Sequence, residues 1–132
     1  MHRFVPARAA LLAFVAWGTA PLAAAELLML EQPGCVWCAQ FNEEIAPAWP
    51  KTEEGRRAPL RRVDITEPWP DDLAGIQKER FTPTFVLLDR GEELGRIRGY
   101  PGSEFFWYRV GELLAHLPEE PEPANGTERR QP

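Results

Sequence analysis

The two cysteines of this chain stand three residues apart, in the segment EQPGCVWCAQF at positions 31–41, and the chain has no others. A nearly continuous apolar run, ELLML at 26–30, precedes them and suits a strand that is covered on both faces. The apolar residues that follow fall at helical spacing as far as Pro50, and they are Cys38, Phe41, Ile45 and Trp49. The sequence therefore predicts that both thiols lie where a buried strand passes into a helix.

The rest of the chain continues this alternation of strands and helices. We predict strands at 60–65, 82–88 and 91–99, the last of them at a sheet edge after a turn at 89–91. A short helix that Asp71 or Asp72 can cap would lie between the first two of these strands, with Leu73 and Ile76 pointing inward. A last helix would follow Ser103, which can cap it, and stop at Pro118.

This order of elements predicts one small domain with a mixed sheet flanked by helices. The first crossovers favour parallel pairing of strands, and the final tight turn favours an antiparallel hairpin. Residues 118–132 have no apolar periodicity, and we interpret them as a disordered tail.

The first 25 residues have the pattern of a secretory signal peptide. Basic Arg3 and Arg8 precede an apolar run at 9–17, and three alanines that end at Ala25 offer a cleavage site. A retained membrane anchor is the alternative, but it needs about 20 apolar residues, and Gly18 and Pro21 interrupt this run. We predict cleavage after Ala25, with no membrane insertion afterwards.

Cleavage would change the charge of the chain and its environment. The loss of two of the 15 basic residues leaves 13 against 20 acidic ones, a net charge of −7. An acidic domain without a basic stripe is a poor candidate for binding nucleic acid. Export would also place both cysteines in an oxidising compartment, where disulfides form and persist.

The spacing of Cys35 and Cys38 is typical of a reversible disulfide. Positions i and i+3 of a helix have Cβ atoms about 5 to 6 Å apart, whereas a disulfide prefers about 3.8 Å, so the bridge should be readily reduced. The start of a helix also favours a thiolate and can lower a cysteine pKa from about 8.5 to about 3.5 to 7.5. We predict that Cys35 attacks a partner disulfide and that Cys38 resolves the mixed disulfide.

Other uses of a cysteine pair fit this sequence less well. A zinc site needs about four ligands, and beyond the signal segment the chain adds only His116 as a histidine. Haem attachment needs CxxCH, but residue 39 is alanine. A purely structural disulfide would close a four-residue loop, which removes little chain entropy. We therefore predict redox cycling by the two cysteines, with no metal and no cofactor.

With these elements assigned, the chain resembles the thioredoxin fold over nearly all of residues 26–117. The features that match are a strand, CVWC, a later strand opened by Thr82-Pro83, and Gly99 after the hairpin. More narrowly, the segments EQPGCVWC, EIAPAWPKTEEGRRAPLRRVDI, FTPTFVLL and GYPGSEFFW resemble periplasmic thioredoxin-like proteins encoded with bacterial sulfur-oxidation (Sox) systems, often called SoxS. The resemblance implies an α/β, thioredoxin-like fold with a minimal, mixed four-stranded sheet flanked by helices.

The same resemblance implies a function. The chain would be a periplasmic thiol-disulfide oxidoreductase that reduces or reactivates a client protein with a disulfide or a modified cysteine. A membrane thiol-disulfide transporter would supply its electrons. No dimerisation segment is visible, so we expect a monomer. A non-catalytic redox sensor or regulatory binding module, and a disulfide oxidase or isomerase, are the alternatives.

The resemblance also implies roles for residues around the thiols. Pro83 would be a cis-proline beside them, Thr82 would offer backbone groups to a bound partner, and Gly99 would leave room for the partner backbone. We expect Trp37 and Tyr100 to lie near the thiols. Trp37 could dock a client, or it could simply pack on its own helix.

One residue departs from the thioredoxin pattern. Typical thioredoxins have a buried aspartate six residues before the first cysteine, where this chain has Met29, which cannot accept a proton. Glu31 is the nearest acid and could accept a proton in its place. The alternative is that Glu31 is an ordinary solvated side chain.

Overall fold

A computed structural model describes residues 24–119 of the chain. Residues 1–23 of the predicted signal peptide and most of the predicted tail lie outside the described residues, and both assignments stay predictions. The described part contains one four-stranded sheet, and its strands are β1 (Ala25–Glu31), β2 (Leu60–Asp64), β3 (Thr84–Asp89) and β4 (Glu92–Arg98). The predicted mixed sheet is confirmed, and its order is β2-β1-β3-β4, with β4 at an edge as expected.

Parallel pairing holds for the first crossover only. β1 is parallel to β2, whereas β3 runs antiparallel to β1 and to β4. β2 ends with Asp64 beside Glu31, and β3 begins with Thr84 beside Leu30, so the connection between them starts and finishes at the same end of β1. Because no long helix carries the chain back across the sheet, β3 has to run in the opposite direction to β1.

The helices are α1 (Val36–Glu44), α2 (Glu53–Arg57) and α3 (Ser103–Leu114), and a 3-10 turn lies at Trp49–Lys51. The first helix is shorter than predicted because Pro47 has no N–H group and disfavours helical backbone before it. Trp49 is nevertheless buried as expected. None of these helices, nor any other in residues 24–119, has the length and apolar character needed to cross a membrane.

The second helix was not predicted. We interpreted residues 51–59 as a polar connection, but the Thr52 hydroxyl accepts a hydrogen bond from the Gly55 amide (3.0 Å) and caps one helical turn there. A Cβ atom at Gly55 would lie 1.7 Å from the Trp49 carbonyl oxygen. Glycine therefore lets this turn pack directly against the backbone of the preceding one.

The predicted helix after Asp71 is only a 3-10 turn at Asp71–Leu73. Asp72 does not cap it, because both of its carboxylate oxygens accept hydrogen bonds from Arg61 (2.6 and 3.0 Å). Leu73 and Ile76 point inward as predicted. In the last helix Ser103 is the first helical residue rather than the cap, and Gly102 occupies the cap position.

The two faces of the sheet bury different side chains. One face, which we call the aromatic face, is covered by α1 and α3, and its core includes Leu27, Met29, Phe41, Trp49, Phe85, Tyr100 and Phe106. The other, the aliphatic face, is covered by residues 65–76, and its core includes Leu28, Leu30, Val63, Leu73, Ile76, Val86 and Leu88. Cys38 belongs to the aromatic face, so the thiol pair lies on the helix-covered side of the sheet.

Candidate active site

Cys35 and Cys38 form a disulfide at the start of α1, with their Cα atoms 5.2 Å apart. Cys35 is the N-cap residue, and its Sγ accepts a hydrogen bond from the Cys38 amide (3.2 Å). Cys38 is only 3% exposed, whereas Cys35 is partly exposed. A partner can therefore reach the Cys35 sulfur more easily than the Cys38 sulfur.

The location of Cys35 also favours its thiolate form. The first amides of a helix have no partner within the helix, and their positive ends point toward the cap residue. On reduction, the amide of Cys38 and the dipole of the nine-residue α1 would both stabilise a negative charge on Cys35 Sγ. The local fold thus favours a negative charge on one sulfur of the pair, that of Cys35.

The turn before β3 contains the proline that the resemblance singled out. The Thr82–Pro83 peptide bond is cis, as the resemblance implied. The Pro83 carbonyl oxygen accepts a hydrogen bond from the Gly99 amide (2.7 Å), and the Thr84 hydroxyl donates to the Phe81 carbonyl oxygen (2.7 Å). Thr84 is fully buried, and this bond satisfies its hydroxyl. These contacts fix the turn against the end of β4.

A side-chain hydrogen bond joins this turn to the cysteine segment. The Gln32 side-chain amide donates to the Thr82 hydroxyl oxygen (2.9 Å), and the Gln32 carbonyl oxygen accepts from the Cys35 amide (3.3 Å). One residue thus contacts both halves of the site. The sequence analysis missed Gln32, since a polar residue just after a strand carries no signal for a partner 50 positions away.

The two aromatic residues expected near the thiols have different environments. Trp37, in the first turn of α1, is 56% exposed. Tyr100 is only 5% exposed and packs among Phe41 and Phe106, so most of its ring belongs to the core. Tyr100 therefore lies behind the site and contributes little exposed surface of its own.

The Tyr100 hydroxyl has a charged partner. It donates to the carboxylate of Glu44, the last residue of α1, at 2.5 Å. Burial together with this hydrogen bond raises the pKa of Tyr100 well above its usual value. The same hydrogen bond, with a second one from the Gln40 side chain, lowers the pKa of Glu44. The pair connects the loop after β4 to the helix that carries the cysteines.

The region of the missing aspartate contains an ion pair. Met29 is fully buried on the aromatic face. Two residues further along β1, the Glu31 carboxylate lies 2.9 Å from Nη1 of Arg62, which also lies 3.5 Å from the Met29 sulfur. Glu31 is therefore a paired rather than a freely solvated acid.

A shallow groove lies between the cysteine helix and the proline turn. Its volume is about 200 Å³, and its lining residues are Trp37, Phe81, Arg98, Gly99, Tyr100 and Pro101. Gly99 has a left-handed φ of +86°, which favours glycine at this position. Phe81 and Arg98 were missed by the sequence analysis. The only hint was an apolar residue directly before Thr82-Pro83 in an otherwise polar stretch.

Two further observations concern ligand binding outside the cysteine site. A second cavity, of about 740 Å³, lies at the start of β1, the end away from the cysteines, and is lined in part by Arg61, Asp72 and Arg90. Within the described part of the chain, no three histidine, cysteine or acidic side chains are grouped as they would be to hold a metal ion.

Comparison with solved structures identifies a protein of similar sequence. The periplasmic thioredoxin SoxS from Paracoccus pantotrophus, in its reduced form, is 47% identical, with a TM-score of 0.65. The match covers 70% of this chain and 97% of that protein. No protein-family model matches the chain, and no curated protein matches it.

More distant thioredoxins share the architecture. Thioredoxin-2 of the malaria parasite is 21% identical with a TM-score of 0.53, over 72% of this chain and 88% of that one. A mutant thioredoxin from Halobacterium salinarum is 18% identical with a TM-score of 0.53, over 74% and 79% of the two chains. At this level of identity the likeness shows the fold alone.

Proposed function

This chain belongs to the thioredoxin superfamily and, within it, to the SoxS-like proteins, and from that membership we propose that it reduces or reactivates an oxidised client protein in the periplasm. The chain is a thiol-disulfide oxidoreductase. The periplasmic location and a link to sulfur oxidation are supported by the 47% identity to SoxS and by the signal-like first 25 residues.

The observation that carries this proposal is the Cys35–Cys38 disulfide at the start of α1, with one sulfur accessible and the other buried. In the reduced protein, the Cys35 thiolate attacks a client sulfur, forms a mixed disulfide and expels the other client sulfur as a thiolate. Cys38, deprotonated, then attacks Cys35 Sγ, which reforms the internal disulfide and releases the client thiolate. Two electrons pass from the dithiol to the client disulfide, and both client thiolates take up protons.

The oxidised protein must then be recharged. A membrane thiol-disulfide transporter is our candidate donor of the two electrons and two protons that the Cys35–Cys38 disulfide requires. We propose that the protein acts as a monomer, because one dithiol suffices for this exchange. Pro83 and Thr82 would meet the client backbone, since their turn is joined to the cysteine segment by Gln32.

Glu31 is our candidate for accepting the proton of Cys38, because it follows Met29 on the same face of β1 as the buried thiol. Its carboxylate lies 2.9 Å from Nη1 of Arg62, which holds the side chain in place at the end of β1. Glu31→Gln should then alter the pH profile of client reduction without changing the fold. An unchanged profile would assign Glu31 to a structural ion pair only.

A trapping experiment tests the exchange mechanism. In Cys38→Ser, the mixed disulfide on Cys35 cannot be resolved and should accumulate with periplasmic proteins. Cys35→Ser is the matched control, since it removes the accessible sulfur and should trap nothing. If Cys38→Ser gives no adduct and the native protein does not turn over insulin disulfides, a redox sensor would explain the site better.

The direction of electron flow is tested by the redox potential. Titration against glutathione and dithiothreitol buffers, with Trp37 fluorescence as a reporter, should give a midpoint of about −230 to −270 mV for a reductant. A midpoint of about −120 to −180 mV would make the protein an oxidant or isomerase and would contradict the reactivation role.

A further inference from the structure

The segment that leads into the proline turn has no regular structure of its own. Residues 77–83 form neither helix nor strand, and β3 begins only at Thr84. Backbone outside helices and sheets keeps its conformational freedom unless other contacts fix it. The placement of the Thr82–Pro83 turn relative to the cysteine segment therefore depends in part on what holds residues 77–81.

The Glu79 carboxylate binds the backbone of this segment directly. Its Oε1 atom accepts hydrogen bonds from the amides of Arg80 (3.0 Å) and Phe81 (3.3 Å). The Glu79 side chain is only 16% exposed, so water competes little for these bonds. Hydrogen bonds from two successive amides to one carboxylate fix the direction in which the chain enters the turn.

Two arginines of the edge strand β4 bind the same segment. Arg98 Nε lies 2.9 Å from Glu79 Oε2, and Arg98 Nη2 donates to Glu79 Oε1 (3.3 Å). Arg96 Nη1 lies 3.9 Å from Glu79 Oε2, and Arg96 Nη2 donates to the Gln77 carbonyl oxygen (3.3 Å). The bidentate contact with Arg98 fixes the orientation of the carboxylate as well as its distance. Glu79 thus joins the irregular segment to β4.

These contacts also keep the Glu79 carboxylate ionised. Partial burial raises its pKa, but hydrogen bonds from the amides of Phe81 and Arg80 and from Arg98 outweigh burial, so the pKa lies below its ordinary value. The negative charge on which the contacts with both arginines depend is therefore present at neutral pH.

The strand position that binds Glu79 lies next to the proline turn. Arg98 is the register partner of Thr84, the first residue of β3. The following amide, that of Gly99, donates to the Pro83 carbonyl oxygen (2.7 Å). The backbone ladder therefore fixes the turn on its C-terminal side, and the Glu79 carboxylate fixes it on its N-terminal side.

We propose that Glu79 is a positioning residue for disulfide exchange, because its carboxylate fixes the proline turn against β4, where the turn can meet the backbone of a protein client. The inference rests on the proposed exchange reaction and on the proposed contact of Thr82 and Pro83 with the client. A small disulfide without a peptide backbone needs only the accessible sulfur of Cys35, whereas a protein client also needs the turn. Loss of the Glu79 carboxylate should therefore slow the reduction of a protein more than the reduction of a small disulfide.

Two disulfides of different size test the proposal. The reduced protein is mixed with insulin or with hydroxyethyl disulfide, a small neutral molecule, and its oxidation is followed through Trp37 fluorescence. In both reactions Cys35 attacks one sulfur and expels the other as a thiolate, and Cys38 then closes the internal disulfide. We expect Glu79→Gln to lower the second-order rate constant for insulin about 10-fold, and that for hydroxyethyl disulfide by less than about twofold. Glutamine keeps the size of the side chain, but its amide group has no charge and offers only one acceptor atom.

Glu93→Gln is the matched control. The Glu93 carboxylate accepts two hydrogen bonds from Arg96 (both 2.6 Å), and its side chain is 27% exposed. Its replacement removes an equal charge from β4 itself and leaves the bonds between Glu79 and the turn amides in place, so both rate constants should stay within about twofold of the native values. Glu79→Asp keeps the charge but shortens the side chain, and its ratio of the two rate constants should lie between those of the native protein and Glu79→Gln.

The outcomes separate this inference from the function on which it rests. If Glu79→Gln slows both reactions by the same factor, or slows neither, the positioning role is overturned. An equal loss of insulin reduction in Glu93→Gln would also overturn it, because the loss of charge alone would then explain the result. If the native protein reduces neither disulfide, the exchange reaction itself is contradicted, and the positioning role with it. Glu79→Asp provides an independent measurement should Glu79→Gln fold poorly.

Discussion

The two faces of the sheet are built by the same strands but are covered in different ways. The aromatic face packs against α1 and α3, with Phe106 at the centre of a cluster of interacting rings. The aliphatic face is covered by residues 65–76, whose regular structure is one 3-10 turn. A helix with fixed neighbours cannot easily move to fill a gap, whereas an irregular segment can shift inward.

Each face supplies one half of the active site. The aromatic face holds α1 and therefore the two sulfurs. The segment that covers the aliphatic face leads on to the turn at Phe81–Pro83 and so delivers the proline side of the site. The two halves of the site therefore have supports of different kinds, because the sulfurs lie on a helix and the proline turn follows an irregular segment.

The largest effect should come from the centre of the aromatic face. Phe106 is fully buried, and its ring centroid lies 4.9 Å from that of Phe85 and 5.2 Å from that of Phe41. We expect Phe106→Ala to lower the free energy of unfolding by about 3 to 5 kcal/mol, measured by urea denaturation. The neighbouring, exposed Phe105→Ala should change it by less than about 0.5 kcal/mol. Similar losses in both variants would contradict the assignment of this core.

The comparison itself is tested by the same substitution on each face. Leu27 and Leu28 are adjacent in the central strand β1, both are fully buried, and they point to the aromatic and the aliphatic face respectively. We expect Leu27→Ala to lower the free energy of unfolding by about 4 kcal/mol and Leu28→Ala to lower it by about 2 to 3 kcal/mol. The loss should be smaller for Leu28→Ala because the irregular segment over the aliphatic face can move into part of the cavity that the substitution leaves. Equal costs in urea denaturation would mean that both faces are equally rigid.

Local sequence patterns were sufficient for most of the fold. The apolar run of β1 and the β-branched and aromatic residues of β3 identified the central strands. The cysteine spacing and its position before a helix identified the thiol site, whereas only the family resemblance implied the proline turn at Thr82-Pro83 beside it. These features are encoded by residues close together in the sequence, which is why periodicity and composition reveal them.

The parts that could not be predicted depend on contacts between distant segments. The Gln32–Thr82 hydrogen bond joins residues 50 positions apart, and the Tyr100–Glu44 bond joins residues 56 positions apart. Asp72 has the residue type and position of a helix cap, yet Arg61 of a neighbouring strand pairs with it instead. Only the folded arrangement shows which of several possible partners a polar side chain has.

A smaller effect is expected at the Tyr100–Glu44 bond, which supports α1 on the aromatic face. Hydrogen bonding to Tyr100 lowers the pKa of Glu44 below its usual value near 4.5. The bond therefore contributes stability above about pH 4.5, and this contribution is lost as the pH falls through the lowered pKa of the folded state. Tyr100→Phe should be less stable than the native protein at neutral pH, and the difference should shrink in acid.

Urea denaturation from about pH 7 to about pH 3 measures this dependence. Tyr108→Phe is the matched control, since the Tyr108 hydroxyl donates to Glu112 (3.0 Å) from a side chain that is 64% exposed. Solvent competes with that exposed bond, so its removal should have a smaller effect. If the free energy of unfolding of Tyr100→Phe differs from that of the native protein by the same amount at every pH, ionised Glu44 is not the source of the stability that the Tyr100 hydroxyl contributes.

We expect the smallest effect on stability at the Gln32–Thr82 hydrogen bond, which joins the two halves of the site. Loss of this bond should also affect the rate of the reaction. Gln32→Ala removes the side-chain link to Thr82, and we expect the free energy of unfolding to fall by about 0.5 to 1.5 kcal/mol. Because the proline turn is then less firmly placed beside Cys35, kcat/KM for insulin reduction should fall by about 2- to 10-fold. Gln40→Ala removes an exposed Gln40–Glu44 hydrogen bond (3.0 Å) and should leave insulin reduction unchanged. If Gln32→Ala lowers stability but not kcat/KM, packing alone aligns the turn with the thiols, and the two halves of the site need no hydrogen bond between them.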